Sequence, residues 1–338
     1  MYTTIMNIQE NVVLNEKTTM KNSCITRYYA EIEKQEELLE IFSFIEKEEL
    51  PFAILGGGSN MIFPKEFDGV VIHMNVSGTE ETDTLFIGCA GEEWDSFVEK
   101  SIKKKICHIE NLSGIPGTVG ATPIQNIGAY GVEVSEMIEW VEVFNIHTRQ
   151  FEKLSNNKCC FGYRDSFFKK SEGKKYIVTR VAYRKSDVCH VAIAYKDLTH
   201  YFETTKKVTP AMVRTAVLAI RKEKFPDYNN YGTCGSFFKN PIVSEEIASR
   251  LQEKYGDIPL FPLGDEKIKI PLAWILDHVC HLKGYREGNV FLYEKQPLIL
   301  VAEKNTFTEE IENFSKKITN IVFEKTNIQI EKEVVFIK

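Results

Sequence analysis

No stretch of this 338-residue sequence approaches the roughly 20 consecutive apolar residues that a helix needs to cross a bilayer. The segment from Asn7 to Lys21 is polar, so the apolar core of a signal peptide is missing there and a cytoplasmic location is expected. Positive charge is in deficit. Lys and Arg number 42 against 48 Asp and Glu, a net charge of −6, the opposite of the basic face that a general nucleic-acid binder carries. No CxxC pair occurs. The eight cysteines (Cys24, Cys89, Cys107, Cys159, Cys160, Cys189, Cys234 and Cys280) are scattered without a disulfide framework and read as reduced thiols. Internal repeats, low-complexity tracts and Pro/Gly linkers are also absent. His278 and His281, three apart beside Asp277 and Cys280, lack further placed ligands, so no metal site is expected.

What remains is an ordinary globular composition, 43% hydrophobic and 27% charged, long enough for two or three domains. The first half reads as short strands at Val70–Met74, Leu85–Cys89, Trp140–Ile146, Tyr176–Tyr183 and Val191–Tyr195. One clear helix interrupts them, with Trp94, Phe97, Val98 and Ile102 on one face and Lys103–Lys105 at its C-terminal end. The second half is more helical. Thr209-Pro210 opens one helix, and Ser244 opens another that Gly256 can close. Leu272 to Val279 and Thr308 to Lys325 mark two more, before a terminal strand from Ile328 to Ile337. The architecture is α+β, with a composition shift near residue 205.

Two glycine-rich segments carry the chemistry. In Ile54-Leu55-Gly56-Gly57-Gly58-Ser59-Asn60 an apolar strand runs into three glycines and two side-chain donors. Glycine allows close backbone approach, and exposed N–H groups suit a pyrophosphate. No Gly-Lys-Ser/Thr follows, so this is not a Walker loop, and it is not the Gly-x-Gly-x-x-Gly fingerprint. The second segment runs Asn111-Leu112-Ser113-Gly114-Ile115-Pro116-Gly117-Thr118-Val119-Gly120-Ala121-Thr122-Pro123-Ile124-Gln125-Asn126-Ile127-Gly128-Ala129-Tyr130-Gly131. Small residues alternate there with apolar ones, where a plain loop of this length would be polar. A segment that packs while leaving backbone donors available is the expected form of a cofactor cradle.

Together these segments resemble the FAD-binding domain of the vanillyl-alcohol-oxidase-like (PCMH-type) flavoproteins. The longer one resembles its version in the UDP-N-acetylenolpyruvoylglucosamine reductases, the MurB family of cell-wall synthesis. Phe161-Gly162-Tyr163-Arg164-Asp165-Ser166, Ala194-Tyr195-Lys196-Asp197-Leu198, Gly235 to Pro241 and Glu331-Lys332-Glu333-Val334 support the same family, in its order, from about residue 20 to the end. Tyr195 to about Lys224 resembles the longer form, in which a tyrosine-bearing loop closes over substrate. The resemblance implies an α+β flavoprotein with a C-terminal substrate-binding α+β domain. It implies FAD-binding subdomain 1 at residues 1–75 and 326–338, subdomain 2 at 76–205, and the substrate-binding domain at 206–325. It implies a two-stage hydride relay: NADPH reduces FAD, and the enolpyruvyl double bond of UDP-N-acetylglucosamine enolpyruvate is then reduced to give UDP-N-acetylmuramate. FAD contacts are expected from Leu55, Gly56, Gly57, Gly58, Ser59 and Asn60. In the longer segment they are expected from Pro116, Gly117, Gly120, Ala121, Thr122, Gln125, Asn126, Gly128, Ala129 and Tyr130.

The resemblance makes Ser236 the donor that protonates the carbon next to the substrate carboxylate. A serine hydroxyl is a weak acid, but the carbanion-like centre left by hydride addition is basic enough to take its proton. Arg164, a planar and permanent cation, would pair with that carboxylate. Strand alternation puts Gln329, Glu331 and Glu333 on one face and leaves Glu331 and Glu333 equivalent; the family match selects Glu333, opposite Ser236. Tyr195, Lys224, Asn240 and Gln296 match substrate-contact positions. The family's last motif usually has Pro and Arg where Lys332 and Val335 stand. Cys234, two residues from Ser236, suggests sensitivity to thiol oxidation. Two alternatives differ in chemistry. A flavin oxidase of the same superfamily would often attach its flavin through a His or Cys, and Cys107 and His108 lie just before the cradle. A sugar-nucleotide-binding regulator would keep the fold without turnover. A monomer with small-molecule partners and no nucleic acid or membrane is expected.

Overall fold

The computed structural model describes residues 7–338. The first six residues of the range expected for subdomain 1 lie outside the description. The chain forms two compact units. One holds Thr26–Gly57 and Asp68–Lys222 with the described residues up to Val12; the other holds Val13–Ile25, Gly58–Phe67 and Glu223–Lys338.

The first unit is built on two sheets. In the smaller one the strands lie in the order Ile8–Val13, Ile25–Ile32, Glu66–Met74, Phe52–Leu55, and the last two run parallel. Helix α1 (Glu37–Lys47) lays Leu38, Ile41, Phe42 and Ile45 onto this sheet, against Ile32, Val70 and Ile72. The larger sheet has the order Gln150–Ser155, Ile138–Asn145, Tyr176–Arg184, Leu85–Cys89, Thr79–Glu81, antiparallel throughout. Helix α2 (Trp94–Ile102) packs Trp94, Phe97 and Val98 into its core with Phe86, Val141 and Tyr183. Beyond the sheet come α3 (Lys196–Tyr201) and α4 (Pro210–Lys224), which share a small core of Leu198, Phe202, Val213, Ala216 and Val217.

In the second unit, strands Tyr231–Ser236, Gln296–Glu303, Val290–Tyr293 and Arg286–Glu287 form an antiparallel sheet. Helix α5 (Glu245–Tyr255) begins at Ser244, whose hydroxyl accepts the Ile247 N–H, and ends at Gly256, φ +77°. Helix α6 (Leu272–Trp274) widens into a π-helical turn over Ile275–Val279. Helix α7 (Thr308–Thr326) buries Ile311, Phe314, Ile318 and Val322 in the same core as Leu276, Leu292 and Leu300.

Four expectations need correction. Val191–Tyr195 is not a strand, because Val191 and Ile193 pack onto the α3–α4 core instead of pairing. The terminal segment is extended, with Ile328, Ile330 and Val334 buried, but regular pairing is confined to Val335–Phe336 beside Met61–Ile62 and one bridge between Lys332 and Phe238. The first half holds α1 as well as α2. Cys107 and Cys189 are not free thiols: they form a disulfide with Cα atoms 5.3 Å apart, within the span that bridged cysteines occupy.

Candidate active site

The Phe52–Leu55 strand ends in register with His73, so Gly56 and Gly57 leave at a carboxyl end, where open parallel sheets bind ligands. The two glycine segments then meet backbone to backbone. A Cβ on Gly57 would stand 2.7 Å from Gly117 Cα, and one on Gly56 would stand 2.6 Å from Thr118 Oγ1. Gly120 is equally constrained: its N–H bonds Ala90 O at 2.9 Å, and a Cβ would stand 2.6 Å from Ala90 Cβ. Among the described residues, no backbone hydrogen bond uses the N–H groups of Gly56, Gly57 or Gly58. A side-chain-free seam with available donors fits the pyrophosphate of a dinucleotide, so these residues suit FAD.

The far end of the cradle is braced from within. Asn126 (φ +48°) donates to Glu133 Oε2 at 2.7 Å and to Gly162 O at 3.1 Å, and accepts from the Ser135 N–H. Both amide hydrogens of Asn126 are thereby used within the protein. The Thr122 hydroxyl is likewise engaged by Val119 O and the Tyr183 hydroxyl. Gly162 and Asp165 close a tight turn that carries Arg164 in the left-handed region, φ +51°. Non-glycine residues held there are uncommon and gather at functional sites. Arg164 Nη2 bonds Gly128 O at 2.6 Å, which anchors its guanidinium on the cradle, while Asp165 pairs with Lys170.

Tyr195 caps α3, and its ring meets that of Tyr130 edge to face, centroids 5.4 Å apart. Burial pushes the Tyr130 hydroxyl up to about 12 against the opposing effects of the Arg221 charge and hydrogen bond, so the phenol stays neutral.

In the second unit, Gly235 (φ +71°) interrupts the ladder between Thr233 and Ser236, and its N–H is held by Thr233 Oγ1 at 3.1 Å. A bulge with a left-handed glycine re-aims the next side chain, and that side chain is Ser236. The following residues pair with the C-terminal segment: the Glu333 N–H bonds Phe237 O and the Lys239 N–H bonds Glu331 O, both at 2.9 Å. Asn60 holds that segment from its other side, accepting from the Val335 N–H and donating to Glu333 O. Ser236 and Glu333 therefore lie on adjacent extended segments, with Glu333 bonded through its N–H to the residue after Ser236. Glu333 is half-buried and Glu331 is exposed and paired with Lys239.

The remaining candidates are more dispersed. Asn240 Oδ1 accepts the Leu272 N–H at 2.9 Å and so opens α6, leaving its amide nitrogen as the group it can offer. Gln296 begins its strand opposite Tyr293, and Lys224 ends α4. Lys332 lies over the Phe336 ring at 4.5 Å, and Val335 is exposed. Cys234 is buried and its thiol is pushed up to about 12 by that burial, which makes it a poor nucleophile despite standing near Ser236. His278 stacks on Trp274. Sequence reading missed Asp95, Arg214 and Arg221, which surround Gly114. The seven-residue spacing of the two arginines on one helix was the available signal.

Comparison with known proteins agrees with this geometry. The FAD binding domain model matches residues 26–148, and the model of the UDP-N-acetylenolpyruvoylglucosamine reductase C-terminal domain matches residues 227–337. The chain is 37% identical over 285 residues to the UDP-N-acetylenolpyruvoylglucosamine reductase of Pasteurella multocida, covering 83% of each. It is 39% identical over 304 residues to that of Amoebophilus asiaticus, covering 88% of this chain and 89% of the relative. The solved structure of the Thermus caldophilus reductase superposes with a TM-score of 0.66 at 20% identity, over 99% of this chain and 100% of that one, a likeness of fold.

Proposed function

The chain belongs to the UDP-N-acetylenolpyruvoylglucosamine reductase family, FAD-dependent oxidoreductases of peptidoglycan synthesis, and from that premise we propose how its own residues divide the work. The reaction reduces the enolpyruvyl group of UDP-N-acetylglucosamine enolpyruvate to give UDP-N-acetylmuramate. Leu55–Asn60, together with Pro116, Gly117, Gly120, Ala121, Thr122, Gln125, Asn126, Gly128, Ala129 and Tyr130, would hold FAD, which when bound would supply the hydride that originates from NADPH.

Ser236 gives its hydroxyl proton to the carbon beside the substrate carboxylate. The observation that carries this assignment is the glycine bulge at Gly235, which shifts the ladder register just before Ser236, on the segment that bonds the Glu333 N–H. Arg164 pairs with the carboxylate and stabilises the negative charge that builds there; its left-handed backbone and its bond to Gly128 fix where the fork points. Glu333 holds or polarises the intermediate from the other side. Tyr195, Lys224, Asn240 and Gln296 contact substrate, with Lys224 as a cation for phosphate or carboxylate. A monomeric, cytoplasmic enzyme fits this reading, and among the described residues no helix is long and apolar enough to cross a membrane. The oxidase alternative loses one of its two attachment residues, since Cys107 is bonded to Cys189. The deciding experiment is NADPH oxidation by the flavin-loaded protein with and without the enolpyruvyl sugar. Consumption that depends on the sugar supports the proposal; equal consumption in air without it would favour an oxidase.

A further inference from the structure

Tyr195, Tyr130 and the first turn of the cradle converge on one face of α4. Gly114 opens that turn with φ +68°, and a Cβ on it would stand 2.9 Å from Leu218 Cδ2 and 3.2 Å from Arg221 Cδ. Its N–H donates to Asp95 Oδ1 at 2.6 Å, and its carbonyl accepts from Arg221 Nε at 3.0 Å. Asp95 also receives both arms of the Arg214 fork, at 2.6 and 2.8 Å. Arg214, Leu218 and Arg221 are four and three residues apart, which places them on a single helical stripe. A closed ring results: Arg214 to Asp95, Asp95 to Gly114, Gly114 to Arg221, and back through α4.

The ring is well placed to transmit position. Asp95 lies in the first turn of α2, where the helix dipole favours an anion. The side chains of Arg214 and Asp95 are 15% and 27% exposed, so water screens this pair less than a surface ion pair. Glu99 lies farther from Arg214, at 3.8 Å. The same α4 stripe reaches Tyr130 through Arg221, and Tyr130 carries the ring of Tyr195. Tyr195 itself begins α3, whose Leu198 and Phe202 are packed against Val213, Ala216 and Val217 of α4. Moving α4 along the cradle therefore moves Tyr195.

We propose that Asp95 and Arg214 are positioning residues that hold the Tyr195-bearing α3–α4 hairpin on the FAD cradle, and that they act on binding of the UDP-sugar substrate and not on flavin reduction. The proposal rests on the assignment of Tyr195 as a substrate contact. A carboxylate bound in a fork resists sliding in two directions, which a single hydrogen bond does not. Asparagine at position 95 keeps an acceptor for Gly114 and loses the charge. Lysine at position 214 keeps the charge and loses the fork.

The test uses the flavin-loaded enzyme with Asp95→Asn, Arg214→Lys, the double variant, and each combined with Tyr195→Ala. Flavin content, the rate of flavin bleaching by NADPH under anaerobic conditions, KM for the enolpyruvyl sugar and kcat are measured. Each single variant is expected to raise KM about tenfold, as loss of roughly one charge-assisted hydrogen bond would. The double variant should be no worse than the poorer single one, while flavin content and bleaching stay within twofold of the parent. In the Tyr195→Ala background, Asp95→Asn should add no further rise in KM. An unchanged KM, additive effects of the two substitutions, loss of flavin from Asp95→Asn, or an equal fall in bleaching would each overturn the proposal. A rise in KM that persists undiminished in the Tyr195→Ala background would also overturn it. If Tyr195→Ala alone leaves KM unchanged, the assignment of Tyr195 fails and the clamp is judged by the additivity of its own pair.

Discussion

Gly57→Ala tests the cradle at its tightest point. The added methyl carbon would stand 2.7 Å from Gly117 Cα, 3.1 Å from its carbonyl carbon and 3.3 Å from its nitrogen. Ordinary carbon contacts begin near 3.4 Å, about 0.7 Å farther than the closest of these. The obstacle is backbone on both sides, so no side chain can swing away. The two glycine segments must part, and overpacking of this kind costs about 1–3 kcal/mol. If that cost falls on the flavin-bound geometry, FAD binding weakens by roughly 5- to 150-fold. Gly131→Ala is the matched control. Gly131 has φ +83° and nothing within 4 Å of its would-be Cβ, so alanine there meets backbone strain of about 1–2 kcal/mol without a clash. Flavin per polypeptide after gel filtration, FAD titration of the apoprotein and Tm are the measurements. Gly57→Ala should lose flavin and Gly131→Ala should keep it. Full flavin and a parental Tm in Gly57→Ala, with loss in Gly131→Ala, would refute the seam.

Further outcomes follow from other parts of the structure. Arg164→Lys removes the planar fork, and the substrate-dependent half-reaction should slow by about 10²–10³ while bleaching by NADPH persists; stopped-flow absorbance separates the two. Reduction of Cys107–Cys189, or Cys189→Ser, opens a crosslink between residues 82 apart and should cost about 2–4 kcal/mol. A lower Tm and faster proteolysis near Ser186–Tyr195 would report it, and a Tm indifferent to dithiol reductant would contradict it. Burial pushes the Asp95 carboxyl upward, but the Arg214 fork and the Gly114 N–H outweigh it, so the folded-state pKa lies below its ordinary value. Stability from this group is thus complete above the unfolded pKa of about 3.9 and is lost as pH falls through the depressed folded value. The stability gap between the parent and Asp95→Asn, measured by urea unfolding, should be full at pH 7 and shrink only below about pH 4.

Helices with a cap and a clean apolar period were legible. Ser244 and Gly256 bracket α5, and Trp94, Phe97 and Val98 announce α2. Helix α1 has the period in Leu38, Ile41, Phe42 and Ile45, but Glu36 caps it without a side-chain hydrogen bond, so its start carries no strong signal. Val191 to Tyr195 has strand composition, yet its apolar side chains serve the α3–α4 core, a tertiary decision that local pattern does not express. The glycine cradle was legible because packing two backbones together demands glycine. Partners distant in the chain were not: Cys107 and Cys189 lie 82 residues apart and Asp95 and Arg214 lie 119 apart, separations that spacing rules do not reach. The motif around Ser236 was visible, but not the bulge at Gly235 that aims it.

The role of Ser236 is tested most directly by Ser236→Ala in separated half-reactions. The bulge is made by Gly235, so the alanine variant should keep its fold and its flavin. Anaerobic NADPH should bleach it at nearly the parental rate, and return of colour on adding the enolpyruvyl sugar should slow by about 10²–10⁴, the usual contribution of a positioned proton donor. If bleaching and recolouring fall together, or recolouring is unaffected, Ser236 is structural and the proton comes from another group.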